Sequence, residues 1–255
     1  MIPIENIIAA CDGGPTKVAA KLSNQEQILG ATFALEIGVD AILIPEELIE
    51  SGLIAKSQRG EKPTGTQFEQ NKKDFSLEEL TITEVKEGGV GDRFCIDLTS
   101  LLEIGEGILV GSSASSLALI HSESIESEFV PTRPFRVNAG PANSYVLMSN
   151  NSTKYLSELK MGDEVMIVNR DGFTKSGTIG RIKIEKRPFI LIKWIDANNN
   201  EAGTFLQQAE TVRLVIPDGN FKSVTELQTN EKILGAIFES GRHVGETINA
   251  KVTEL

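Results

Sequence analysis

Residues 90–141 read VGDRFCIDLTSLLEIGEGILVGSSASSLALIHSESIESEFVPTRPFRVNAGP, and this stretch decides the fold. Three short apolar segments, residues 94–96, 108–110 and 117–120, are separated by Gly, Ser, Asp and Glu. That is the rhythm of β-strands joined by tight turns rather than of helices. Polar and ionisable residues crowd the strand ends: Asp92, Arg93, Asp97, Glu123, Arg133, Arg136 and Asn138. A stretch that only had to pack would not need so many charges beside its apolar runs. One of the two histidines of the chain, His121, lies here as well.

Working outward, 255 residues can bury a sizeable core in one large domain or two small ones. An apolar content of 40% with 24% charged residues is that of a globular protein. The formal charge of −11 argues against a nucleic acid or an anionic membrane surface as partner. It leaves room for a small acidic or phosphorylated molecule, which needs only a local cluster of Arg and Lys. Cys11 and Cys95 are far apart and form no C-x-x-C pair, so reduced thiols in a cytoplasmic setting are expected. The most apolar long run, residues 28–44, is interrupted by Glu36 and Asp40 and is short for a membrane span. No basic segment followed by an apolar run opens the sequence, so no secretory signal is expected.

The reading as a whole is α+β. Residues 1–50 are expected to form a partial α/β region with a β-α-β unit: a strand over 17–22, a helix N-capped by Ser23 with Glu26 three residues on, a stop at Gly38, and a strand over 39–44. Two parallel strands are too few to stand alone, so the unit must pack on the β region or on a second subunit, which makes a homo-oligomer an expectation. Residues 51–76 are polar and read as a linker or mobile loop. Residues 77–255 read as a mainly β domain. Within it KYLSELKMGDEV (154–165) aligns without a gap on KSVTELQTNEKI (222–233), which suggests two related corners of small barrels. Between them, Lys186-Arg187-Pro188 reads as a turn joining two strands.

For chemistry, His121 and Glu123 at i and i+2 would share one face of a strand. With Asp92 or Asp97 they could hold a divalent cation, or the histidine could be a hydrogen-bonded strand-end residue and no more. His243 sits in a GRHVG turn. Arg93, Arg133 and Arg136, with Asn138 nearby and Lys183, Lys186 and Arg187 further on, are the candidates for gripping a carboxylate or phosphate, because guanidinium groups pair with both bidentately. No G-x-G-x-x-G opens a helix after a strand and no G-x-S-x-G elbow is present, so spacing alone names neither a dinucleotide site nor a nucleophile.

Several words of the chain resemble the 3-dehydroquinate synthase II family, the archaeal type of dehydroquinate synthase. They are VGDRFCIDL (90–98), LLEIGEGILVGSS (101–113), HSE (121–123) and RPFRVNAG (133–140), then residues 154–165, GRIKIEKRP (180–188), AETVRLV (209–215) and GRHVG (241–245). The resemblance covers the chain from about Thr81 onward and, more weakly, its first 50 residues. It implies an enzyme of aromatic amino acid biosynthesis that converts 2-amino-3,7-dideoxy-threo-hept-6-ulosonate to 3-dehydroquinate. NAD would oxidise the amino carbon, the imine would be hydrolysed, and an internal aldol step would close the ring. His121, Glu123 and His243 would then act as base, orienting acid and electrophile, with Arg93, Arg133, Arg136 and Asn138 on the substrate. A related branch resembles 3-amino-4-hydroxybenzoate synthase, a cyclase without net oxidation by NAD. It implies a divalent metal such as Mn2+, for which His121, Glu123 and Asp92 are the candidate ligands. The chain departs from the family pattern at Ala114-Ser115-Ser116, in place of Ser-Arg-Gly, at Asn143, in place of His, and in a shortened first third. These departures leave open an altered substrate, the aminohydroxybenzoate branch, or a non-catalytic binding or assembly module.

Overall fold

The computed structural model describes residues 4–58, 76–127, 130–238, 242–243 and 246–247. The fold is α+β, and the chain separates into two compact units, Met1–Thr64 and Gly65–Leu255. In the first, α1 (Ile4–Cys11) leads to β1 (Ala19–Lys21), α2 (Gln25–Phe33), a 3-10 turn (Ala34–Glu36), β2 (Ala41–Leu43), a second 3-10 turn (Glu46–Leu48) and α3 (Ile49–Gln58). β1 and β2 pair in parallel, Ala20 opposite Ile42, so the connection through α2 makes the expected β-α-β crossover. Ile8, Leu22, Ile28, Ala31 and Ala55 form the core of this unit.

Two local expectations are corrected here. Asn24, not Ser23, caps α2: its Oδ1 accepts from the Gln27 amide at 2.9 Å, and Gln27 Oε1 accepts from the Ser23 amide at 2.8 Å. The cap is therefore displaced by one residue, and the side chain that reaches back, to the amide before the cap, is that of Gln27 and not Glu26. The polar stretch also begins later than expected, because α3 runs to Gln58 and buries Ala55 on one side. Residues 59–75 lie outside the described part. Gly38 ends the α2 segment as expected; at φ +69 a Cβ would stand 2.1 Å from the Thr32 carbonyl oxygen, a position only glycine can take.

The second unit is built from strands. They are β3 (Glu78–Leu98), β4 (Glu106–Ser113), β5 (Ser116–His121), β6 (Arg136–Pro141), β7 (Tyr145–Leu147), β8 (Thr153–Tyr155), β9 (Glu164–Asn169), β10 (Thr174–Ile195), β11 (Glu201–Gln207), β12 (Arg213–Val215), β13 (Phe221–Ser223) and β14 (Lys232–Ile237). A last hairpin pairs β15 (Arg242–His243) with β16 (Glu246–Thr247). The three apolar runs of the opening stretch fall in β3, β4 and β5. Pairing runs β5–β14–β3–β10–β9–β4 and returns through β4–β5, so the sheet closes on itself as a barrel does. Leu80, Ile96, Ile108, Ile120, Ile167, Trp194 and Ile233 fill its interior.

β10 overturns the turn expected at Lys186-Arg187-Pro188. The strand runs straight through, with Lys186 opposite Asp92, Arg187 opposite Gly91 and Pro188 opposite Val90. A register shift between Pro188 and Ile190 absorbs the proline, whose missing N–H is tolerated at a bulge. β3 and β10 thus form a ribbon that spans the unit.

The internal repeat extends to its hydrogen bonds. In the first copy Lys154 pairs with Asp163 at 3.0 Å, and Asp163 Oδ2 accepts from the Lys160 amide at 2.9 Å. In the second copy, 68 residues on, Lys222 pairs with Glu231, and Glu231 Oε2 accepts from the Gln228 amide at 2.9 Å. The left-handed residue between them is Gly162 (φ 92) in one copy and Asn230 (φ 69) in the other. The Gly162 amide donates to the Ile179 carbonyl of β10, and the Asn230 amide donates to the Ile82 carbonyl of β3, both at 2.8 Å. The two corners therefore clamp the two long strands in equivalent ways, and the unit carries an internal pseudo-twofold.

Candidate functional site

Alternation along β3 sorts its residues. Phe94, Ile96 and Leu98 enter the core, which leaves Arg93, Cys95 and Asp97 on the other face. On one side β6 sets Arg136 opposite Asp97 and Asn138 opposite Cys95. On the other, β10 sets Arg181 opposite Asp97, Lys183 opposite Cys95 and Glu185 opposite Arg93. Three neighbouring strands thus present one charged face, built from words far apart in sequence.

Asp97 is its hub. It accepts from Arg136 through Nε at 2.6 Å and Nη2 at 2.9 Å, and from Arg181 Nε at 2.8 Å. Burial pushes the Asp97 carboxyl up, but the hydrogen bonds from Arg136 and Arg181 outweigh it and hold the group below the usual carboxylate range. The same hydrogen bond raises Arg136 further despite burial. Arg93 donates to the Cys95 sulfur and to Glu185, which Lys183 (3.2 Å) and Arg187 (3.3 Å) also reach. Burial pushes the Cys95 thiol up to about 11, so it stays protonated and is no nucleophile at neutral pH. Glu123 pairs with Arg133 at 3.2 Å and contributes to the field at both Cys95 and Arg136. The Glu123 amide donates to the Arg136 carbonyl at 2.8 Å. Asn138 Nδ2 donates to Gln207 Oε1 at 2.8 Å. Two buried polar atoms of this face, Arg93 Nε and Asn138 Oδ1, have no hydrogen-bond partner among the described residues. One is a donor and the other an acceptor.

The expected substrate-binding residues Arg93, Arg133, Arg136 and Asn138 therefore come together with Glu123. His121 turns elsewhere. Its Nε2 accepts from the Gly105 amide at 2.8 Å, its Nδ1 lies 2.6 Å from the Ser122 carbonyl oxygen, and its ring packs on Phe221. Burial holds the imidazole below its usual range, and both ring nitrogens are engaged by backbone. In this arrangement the ring faces backbone on both sides and stands apart from the charged face on which Glu123 lies. The i, i+2 argument failed because β5 ends at His121. Asp92 is exposed on the face of β3 opposite to Arg93 and Asp97, so the structure does not bring it together with His121 and Glu123. Among the described residues no group of three or more His, Cys, Asp or Glu is placed to hold a metal ion. The backbone of His243 is in β15, and its side chain lies outside the described residues. Of the two departures inside the β unit, Ala114 and Ser115 form the β4–β5 turn and Asn143 is exposed in the β6–β7 turn.

Sequence reasoning missed Arg181, Glu185 and Gln207. The alternation Arg181-Ile-Lys-Ile-Glu-Lys-Arg carried the first two, but reading a turn at 186–188 hid that this strand lies beside β3.

These features define a β-sheet scaffold with an arginine-rich, ion-paired face. The 3-dehydroquinate synthase II C-terminal domain matches residues 79–255, and the 3-dehydroquinate synthase II N-terminal domain matches residues 1–52. The chain is 42% identical over 259 residues to a 3-dehydroquinate synthase of Methanococcus maripaludis, and the match covers 100% of this chain and 68% of that protein. It is 42% identical over 255 residues to the 3-dehydroquinate synthase of Methanocaldococcus jannaschii and 40% identical over 255 to that of Methanosphaera stadtmanae, with the same coverage. The chain belongs to the 3-dehydroquinate synthase II family. No helix among the described residues is long and apolar enough to cross a membrane.

Proposed function

We propose that this chain is an enzyme that makes 3-dehydroquinate from 2-amino-3,7-dideoxy-threo-hept-6-ulosonate, with NAD as oxidant. The observation that carries the reading is the match of the whole chain to proteins named 3-dehydroquinate synthase, with the family words meeting on one charged face. The substrate carboxylate docks against Arg93, whose Nε is the free buried donor, with Arg181 and Lys183 at the more open edge. Asn138 Oδ1, the free acceptor, takes a hydrogen bond from the substrate amine or a hydroxyl. Arg136, fixed by Asp97, positions the Glu123 backbone, and the Glu123 carboxylate serves as the proton acceptor.

Of the cations the substrate carboxylate leaves on this face, Arg187 is within reach of solvent and is the candidate for the pyrophosphate of NAD. NAD would supply the hydride acceptor for the amino carbon. The described residues offer no ligand set for a metal, so no step is assigned to one.

The test is to incubate the purified chain with the amino-heptulosonate and NAD, following NADH by absorbance and 3-dehydroquinate by mass spectrometry. Both products should accumulate, and Asn138→Leu should lower kcat/KM by about tenfold or more. Failure to form either product at any pH from 6 to 9 (roughly the range over which such groups titrate) would sink the proposal.

A further inference from the structure

The pseudo-twofold gives the charged face a counterpart. The corner equivalence relates β9 to β14 and β10 to the first part of β3, and β6 on β3 corresponds to β11 on β10. Their registers then compare directly. Where one half sets Asp97 opposite Arg136 and Cys95 opposite Asn138, the other sets Lys193 opposite Gly203 and Leu191 opposite Phe205. β4 and β5 are equivalent as well: Ile108 pairs with Ile167 of β9, and Ala118 pairs with Gly235 of β14. Ser113 therefore occupies the place of Glu123, and Ser112 that of Ser122.

In the first half the Asp97–Arg136 pair fills this place. In the second half a glycine replaces the arginine and the space stays open: a cavity of about 300 Å³ lined by Leu191, Phe205, Gly203, Lys193, Glu201 and Ser112. Gly203 is required by the sheet itself, since a Cβ there would lie 2.8 Å from the Ile192 carbonyl oxygen. The cavity has an apolar wall, Leu191 and Phe205, and two opposite charges at its rim. Lys193 and Glu201 are diagonal neighbours on adjacent strands, yet no ion pair joins them among the described residues. Lys193 approaches only Glu84, at 3.8 Å, and Glu84 is engaged more closely by Lys86 at 2.8 Å. Ser112 Oγ is buried with no hydrogen-bond partner among the described residues.

We propose that this cavity is a second small-molecule site and that its ligand is an α-amino acid with an apolar or aromatic side chain. Lys193 receives the carboxylate, Glu201 the ammonium, Ser112 donates to the carboxylate, and the side chain lies on Phe205 and Leu191. A cation held only at 3.8 Å by a Glu84 that Lys86 engages more closely, and an anion with no ion pair among the described residues, flank an apolar wall; that pairing matches a zwitterion better than a simple acid or amine, either of which would answer only one of the two rim charges. The volume admits one such molecule and is small for a nucleotide.

The full chain is titrated by calorimetry with L-phenylalanine and L-leucine, and with 3-phenylpropionate and phenethylamine, which lack the ammonium and the carboxylate respectively. L-Phenylalanine should bind saturably, and Lys193→Gln and Glu201→Gln should each weaken it by about tenfold or more. Lys193→Gln should leave phenethylamine unaffected, and Glu201→Gln should leave 3-phenylpropionate unaffected. Both side chains are exposed, so the variants should keep the wild-type Trp194 fluorescence and urea midpoint. No saturable heat from either amino acid up to about 10 mM, or affinities unchanged in both variants, would overturn the proposal. Neither residue belongs to the charged face, so the result stands apart from the outcome of the NADH assay.

Discussion

Replacing Asp97 by Ala should destabilise the β unit more than any exposed charge could. Asp97 and Arg136 are 4% and 7% exposed, and the substitution strands the Arg136 guanidinium without the two hydrogen bonds it makes at 2.6 and 2.9 Å. Breaking one side of a buried pair costs about 3–5 kcal/mol, because a charge stays desolvated without compensation. The Arg181 contact adds little, since that side chain is largely in solvent. For a chain of this size the loss corresponds to a fall in Tm of roughly 6–20 °C. Trp194 is the only tryptophan and is fully buried in the β unit, so its fluorescence in a urea titration reports this unit alone. The double variant Asp97→Ala with Arg136→Met should recover more than half of the loss, because no unpaired charge remains. Acid should erase the difference as well. The folded-state pKa of Asp97 lies below its unfolded value, so its contribution is present above about pH 4 and is lost as pH falls through the folded pKa. A single variant that loses less than about 1 kcal/mol, or a double variant no more stable than the single, would refute the reasoning.

Other perturbations check separate parts of the structure. Burial lowers the folded-state pKa of His121, so stability should be full above about pH 6.5 and decline as pH falls below it; His121→Gln should flatten that slope in urea midpoints at pH 5 and 8 while leaving the pH profile of kcat unchanged. Cys95, buried and with its thiol raised to about 11, should resist iodoacetamide at pH 8 in the native chain and react once urea unfolds it, read by peptide mass spectrometry. Gly162→Ala should cost about 1–2 kcal/mol, whereas Asn230→Gly should be neutral or slightly stabilising, because both positions are left-handed and only glycine takes that backbone freely.

The sequence disclosed elements set by local rules and hid those set by strand pairing. The β-α-β unit followed from Gly38 and the apolar runs beside it, and the β character of the rest followed from turn residues between short apolar runs. The 68-residue repeat was visible as text, and its meaning as two corners clamping two long strands was not, because Ile82 and Ile179 lie outside the repeated words. At the site, Arg93, Arg136 and Asn138 were legible as strand-end polar residues. The ion pair of Arg136 with Asp97 was not, since register joins residues 39 positions apart. His121 misled because a histidine beside a glutamate reads as chemistry, whereas the Gly105 amide and the Ser122 carbonyl that occupy its ring are backbone groups invisible to motif reading.

The duplicated architecture explains why the charges gather in one half. A buried carboxylate and guanidinium can be kept only where neighbours complete their hydrogen bonds, and for Asp97 β6 supplies Arg136 while β10 supplies Arg181. In the equivalent place β11 presents Gly203 and Phe205, so an acid at position 193 would face no guanidinium on β11; the chain has Lys193 there, half exposed and 3.8 Å from Glu84 of β3. The halves are joined where Asn138 donates to Gln207, and a Cβ on Gly140 would lie 2.8 Å from the Phe205 carbonyl oxygen. The backbone that shapes the open cavity is thus the backbone against which the charged face is fixed. Changing Gly140 to Ala should therefore disturb both places at once, whereas changing Lys193 should touch only one.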